Sequence, residues 1–554
     1  MSFKIGLCLA GAVSAGAYSA GVVDYLLEAL QEWEKRKIND PENTPTHQIE
    51  ISAIGGASAG GMTGLILASM LQENWNPVKK VPNVLDNFNQ NKLYHAWVDM
   101  EENKMLNKLL EVEDKEAFDS LLNSNFVDRL ANSILSPTSK NILPRPFIAK
   151  SVKVFVTLTN LRGMDFNIAF RSNAQKGESY IVTSHNDYAC FRVSKDESAN
   201  YNNDGWIPVN FHSSQNIDLV KSAAMGTGAF PIFLKSRIFS RDKKYLNDLD
   251  WFYTITKNAN NPFKDPFVVT KNIDGGVINN EPFEYVRKIL IDETGQKDPK
   301  AYESFDTFNS TIITIDPFPN SEIENNTEAI EPPKKTSIFG IIFDTLGTLI
   351  DQARLKPAAL ITALDSNNAS NYLIAPVRYD EDGNRLEGDS AIACGALSGF
   401  SGFISKEFRA HDYFLGRANC EAFLREHFTI PRDTTNPIFK EGYSNINLDR
   451  FLTGEKNDFL PIIPIFTPKE HMYLPEFSNG KRYPTVTLDY INGYRSNIKK
   501  RSQHIIMKLA GENFFQRVLL WIGAKVVLNQ KIAESTIDSI IKNLNEHQLL
   551  EKES

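Results

Sequence analysis

The chain has 554 residues, 42% of them hydrophobic and 23% charged, the composition of a soluble globular protein too long for one small core. Its formal net charge of -8 excludes a general nucleic-acid binder, which carries a basic excess. Cys8, Cys190, Cys394 and Cys420 stand without C-x-x-C spacing, so they read as reduced thiols of a cytosolic protein and imply no zinc site.

From the N-terminus, Phe3, Ile5, Leu7 and Leu9 alternate with Lys4, Gly6 and Cys8, which predicts a strand. The alanine-rich run to Val23 has the look of a signal peptide. Gly6, Gly11, Gly16 and Gly21 interrupt it, however, and it continues into Val22, Leu26, Leu30 and Trp33 at helical spacing. It therefore reads as strand, loop and helix. The small-residue loop before that helix suits a developing oxyanion, because its backbone N–H groups lie in a tight loop at a helix N-terminus. A dinucleotide loop competes, but the spacing is wrong for G-x-G-x-x-G and no G-K-[S/T] is present. Close helix–strand packing remains a third reading.

A second strand at 50–54 runs into Gly-Gly-Ala-Ser-Ala-Gly-Gly at 55–61, and an apolar helical stretch follows at 62–68. This is G-x-S-x-G on a strand-to-helix turn, with Gly56, Ala57, Ala59 and Gly60 small enough for a sharp bend. Ser58 is the candidate nucleophile; alone, the turn reads equally well as close packing. The opening β-α-β-α pattern predicts a parallel sheet covered by helices. The charged, helical-patterned segment at about 76–146 reads as an insertion near the mouth of the sheet, and further strands are expected at 152–158, 267–273 and 311–315.

The strand at 267–273 stops at Asp274-Gly275-Gly276, and a helix carrying Phe283, Val286 and Leu290 on one face follows Pro282. The polar, proline-bearing stretch at 320–335 marks a boundary or surface loop. The apolar face at 338–350 reads as a helix packed on the main domain, or as a lid or membrane-contacting helix. The run at 514–528 holds Arg517 and Lys525 and reads as a core helix rather than a membrane span, and 492–550 reads as two or three helices.

A serine hydroxyl needs a base, and nine histidines compete for that role. His411 in Arg-Ala-His-Asp-Tyr is the most tempting, but adjacent residues do not easily face each other, so a surface or capping role is expected. Asp274 is the better candidate, being also on a strand-to-helix turn, although D-G-G alone is often just a turn.

In order, these elements are a small-residue loop after the first strand, G-G-A-S-A-G-G after the second, and D-G-G-V-I-N-N-E-P much later. Together with Gly16-Ala17-Tyr18, Ala20-Gly21-Val22 and Gly-Thr-Gly-Ala-Phe-Pro at 226–231, they resemble the patatin-like phospholipases over about 5–316. The resemblance implies a three-layer α/β/α sandwich with a mainly parallel sheet, followed here by a largely helical C-terminal region. The expected units are a catalytic domain over 1–320 and a mainly helical region over 336–554. It also implies a histidine-free dyad of Ser58 as nucleophile and Asp274 as base, with backbone donors at Gly11, Ala12 and Val13. Gly56, Gly60, Gly275 and Gly276 would support the motifs. No metal or organic cofactor is implied. The expected substrate is a lipid ester, met in the cytoplasm or peripherally at a membrane surface, with no transmembrane segment. A silent lipid-binding or interaction module, a transacylase and a small-ester esterase are the alternatives. The family's loop reads G-G-G-x-[R/K]-G; here Ala12, Val13 and Ala15 replace two glycines and the basic residue.

Overall fold

The computed structural model describes residues 2–71, 73–82, 91–100, 105–113, 119–137, 145–168, 180–194, 200–250, 263, 265–319, 369, 371–468, 472–509 and 529–551. The stretches at 320–335, 338–350 and 514–528 lie outside them.

The strands are β1 (Ser2–Leu9), β2 (Gln48–Gly56), β3 (Ile148–Ile168), β4 (Tyr180–Ser194), β5 (Ile207–Val209), β6 (Arg237–Asp242), β7 (Phe267–Asp274), β8 (Ser310–Ile315) and β9 (Asn371–Ile374). They form a 9-stranded sheet with the order β5-β4-β3-β2-β1-β8-β9, and β6 and β7 extend it beside β3. The run from β3 through β2, β1 and β8 to β9 is parallel, whereas β4 and β7 pair antiparallel with β3. The predicted strands are present. β3, however, is far longer than 152–158, because its outer half pairs with β4 beyond the end of the parallel core.

Helices cover both faces, as the alternation in β1 requires. Phe3, Ile5, Leu7 and Leu9 enter one large core with α1 (Gly16–Asn39) and α2 (Ser58–Met70). Cys8 points the other way, into a second core with Ala53 and Phe155 and with Val286 and Leu290 of α5 (Phe283–Thr294). Two more helices flank the first core, α3 (Asn125–Ile134) and α4 (Ile217–Thr227). A mainly parallel sheet between helical layers is the expected α/β sandwich.

The C-terminal residues carry α6 (Lys406–Glu426), α7 (Arg495–Leu509) and α8 (Asn529–Glu546), and also two short two-stranded sheets. β9 joins the main sheet beside β8, and α6 lies along α1. The two helices cross so closely that a Cβ at Gly21 would fall 1.9 Å from the Tyr413 carbonyl oxygen, and one at Gly416 2.2 Å from that of Tyr18. Among the described residues no helix is long and apolar enough to cross a membrane.

Candidate active site

β3 brings the two candidate residues together. β4 occupies one edge of β3 along its length, so β2 and β7 share the other edge. β2 ends with Gly56 opposite Val156, and β7 arrives antiparallel with Asp274 opposite Leu158. Ser58, two residues past the end of β2, thus meets Asp274 at the last residue of β7. Ser58 Oγ donates to Asp274 Oδ2 at 2.5 Å.

Both turns are tight. Ser58 has φ 51°, a left-handed conformation rare for any residue but glycine and typical of strained functional turns. A Cβ at Gly60 would lie 2.3 Å from the Leu9 carbonyl oxygen, and one at Gly275 2.0 Å from that of Thr157. Gly56 and Gly276 are hemmed in almost as closely, by the Gly60 backbone and the Asn280 side chain. The Asp274 carboxylate is held by its second oxygen, which accepts the Gly276 N–H at 2.8 Å. Thr159 Oγ1 donates to the Asp274 carbonyl at 2.8 Å. With 3% of its surface exposed, Asp274 is desolvated, and burial pushes its carboxyl up to about 7, against the lowering effect of the Ser58 hydroxyl and the Gly276 amide.

The loop after β1 stands beside this pair, because Leu9 ends β1 opposite Gly56. A Cβ at Gly11 would come 3.0 Å from Ser58 Cβ. The Gly11 N–H makes a long 3.4 Å bond to the Asn280 carbonyl, while those of Ala12 and Val13 donate to no acceptor among the described residues. Ala15, at the position of the family's basic residue, is fully buried.

Next to Ser58 opens a cavity with an empty volume of about 920 Å³, its open mouth included. Met62 and Ile66 of α2, Trp97, Phe126, Leu130 and Ile134 of α3, and Phe230 line it, with Phe400 and Phe403 from the C-terminal region. Apart from Ser58 the lining is apolar or glycine, a surface suited to a hydrocarbon chain.

Among the described residues no histidine bonds Ser58 or Asp274. The expectation for His411 is corrected. Its Nδ1 lies 2.7 Å from Asp412 Oδ1 and both residues are buried, with the Asp412 carboxylate also accepting the Ala393 and Cys394 N–H groups at 2.7 and 2.8 Å. No cluster of three or more His, Cys, Asp or Glu able to hold a metal occurs among the described residues. Sequence reasoning missed Thr227, whose Oγ1 accepts the Ser58 N–H at 2.9 Å. It lies in the motif at 226–231, so the signal was present without a role. Phe400 and Phe403 gave no local signal.

An "Uncharacterized protein y4iI" of Sinorhizobium fredii (strain NBRC 101917 / NGR234) is 29% identical over 519 residues, 84% of this chain and 71% of that protein. The crystal structure of VipD from Legionella pneumophila aligns over 99% of this chain and 92% of its own at 12% identity, with a TM-score of 0.18, too low to argue a shared fold. The model of a family described as patatin-like phospholipase matches residues 7–287, which span both turns and all the strands from β2 to β7. That match covers half the chain, and the chain belongs to the patatin-like phospholipase family.

Proposed function

We propose that this protein is a serine acyl hydrolase that cleaves fatty-acyl ester bonds of phospholipids or related lipids. The observation that carries this reading is the 2.5 Å bond from Ser58 to a buried Asp274 at the wall of an apolar cavity. With the acyl chain in the cavity, Ser58 Oγ attacks the ester carbonyl and passes its proton to Asp274 Oδ2. The N–H groups of Ala12 and Val13, with Gly11 beside them, receive the charge that develops on the carbonyl oxygen. The alcohol leaves with the proton from Asp274, and an acyl-Ser58 ester remains. Water then attacks that ester, with Asp274 taking its proton, and the fatty acid departs as Ser58 is restored. A pKa near 7 suits Asp274 to both halves of the cycle, since the group gives and takes a proton at neutral pH. The length of apolar wall favours a long-chain ester over a small soluble one.

The test is hydrolysis of phospholipid vesicles and of a long-chain p-nitrophenyl ester, alongside labelling by a fluorophosphonate probe. Wild type is expected to hydrolyse and to label at Ser58, and Ser58→Ala and Asp274→Asn to lose turnover with the fold intact. Full turnover by either variant would sink the dyad. A wild type that neither labels nor hydrolyses is a silent module.

A further inference from the structure

We propose that residues 397–403 hold the Gly11 loop in its oxyanion-binding shape, with Ser14 as the positioning residue between them. This rests on the acyl-hydrolase reading for its catalytic meaning, while the physical coupling stands on its own contacts.

A loop rich in glycine takes left-handed backbone angles without help. This one has Val13 at φ 48°, and a β-branched residue there is strained, persisting only where neighbours over-determine it. The neighbour is Gly399, so close that a Cβ on it would lie 3.1 Å from Val13 Cβ. One residue on, the buried Ser14 hydroxyl donates to the Gly399 carbonyl and accepts the Gly402 N–H at 3.0 Å. Its donor capacity and one acceptor position are thus committed across sequence separations of 385 and 388 residues.

The clamp is itself strained and anchored. Leu397 and Ser398 have φ 56° and 52°, and Gly399 φ 92°. The Leu397 N–H donates to Asn543 Oδ1 on α8. The Gly402 carbonyl accepts Arg409 Nη1 at 2.6 Å, and the same guanidinium reaches the Val98 carbonyl at 2.9 and 3.1 Å. Phe400 of this segment stacks edge-on against Phe230 of the cavity wall at 5.5 Å. The segment therefore touches the loop whose amides face the reacting carbonyl and the cavity that would hold the chain. In this chain the C-terminal region does the work that glycines would otherwise do in the loop.

The experiment compares full-length wild type, Ser14→Ala, Asn543→Ala, Asn543→Asp and Ser58→Ala. Two readouts are taken: turnover of p-nitrophenyl palmitate in detergent micelles, and amide hydrogen exchange of the peptide covering 9–17. Ser14→Ala is expected to lower kcat about 10–100-fold, as a misplaced donor would, with KM within about twofold because the cavity is unchanged. Asn543→Ala, at a half-buried position in the last turn of α8, should act in the same direction. Asn543→Asp keeps the acceptor for Leu397 and should restore kcat. Exchange at 9–17 should rise in both alanine variants and not in Ser58→Ala. Wild-type kcat together with unchanged exchange in Ser14→Ala and Asn543→Ala would overturn the proposal. If wild type does not turn over, or Ser58→Ala does, the acyl-hydrolase reading fails, and the exchange comparison alone decides whether the clamp exists.

Discussion

A carboxylate at its ordinary pKa is a poor base at neutral pH, and burial is what changes Asp274. The consequence is measurable in two ways with opposite signs. Activity needs the ionised form, so kcat/KM should climb along an acid limb centred near pH 7 and level off above it. Stability runs the other way. The folded protein keeps the Asp274 proton to about pH 7, whereas the unfolded chain releases it near 3.8, so stability from this group falls as pH rises between those values. Asp274→Asn should therefore unfold at a higher temperature than wild type at pH 8, by up to about 4 kcal/mol of stability, and at much the same temperature at pH 4. Calorimetry at the two pH values checks this; equal differences at both would mean that Asp274 is not desolvated. Thr227 makes a separate prediction. Its Oγ1 accepts the N–H of Ser58, a residue already in a strained conformation. Thr227→Val keeps the volume and removes the acceptor, leaving a buried amide unpaired. It should lower kcat about 10-fold, through a misplaced nucleophile, and Thr227→Ser should recover it.

At the scale of elements, β3 sets the spacing of the site, and α3 supplies much of the wall beside it. Phe126, Leu130, Ala131 and Ile134 share the buried face of α3, and all line the cavity. Ala131→Phe would fill part of that space. Turnover of long-chain p-nitrophenyl esters should then fall at least about 10-fold relative to butyrate esters, since short chains need less of the wall. An unchanged chain-length profile would place the chain elsewhere. The sequence made the parallel core legible because β1 carries a clean alternation and both turns are built from small residues next to their strands. β6 was not legible, and the reason is physical. Its inward residues are Arg237, Phe239 and Arg241 and its outward ones include Ile238, so its pattern reads inside out. The arginines are tolerated because Asp128 and Asp187 pair with them. β4 hides in the same way, with His185, Asn186 and Asp187 in mid-strand, the last buried against Arg241. Local pattern singled out Ser58 and Asp274 as candidates, and the order of the motifs joined them into one candidate site. The clamp on Ser14 was not, because a contact made across nearly the whole chain leaves no periodicity to read.

For the whole molecule, the question is how firmly the C-terminal residues belong to the half that holds Ser58 and Asp274. The crossing of α1 and α6 is fixed by a buried ionic cluster: Arg417 of α6 pairs with Asp24 and Glu28 of α1, and Asn91 donates to Asp24 at 2.7 Å. α1 starts three residues after Val13, and α6 starts three residues after Phe403. Any slip of one helix on the other would therefore move the Gly11 loop against its clamp. Arg417→Met removes the cation and leaves the fully buried Asp24 without an opposing charge, while Glu28 keeps its ion pair with Lys79; this should cost about 3–5 kcal/mol. Adding Asp24→Asn removes the buried charge left behind, so the double variant should be more stable than Arg417→Met alone. Chemical denaturation measures both. If the helices are one unit with the site, fluorophosphonate labelling should slow in Arg417→Met under conditions where the protein is still folded, and partly recover in the double variant. Wild-type labelling in a destabilised Arg417→Met protein would mean that the site does not sense the crossing, and that α6 stabilises the fold without shaping the chemistry.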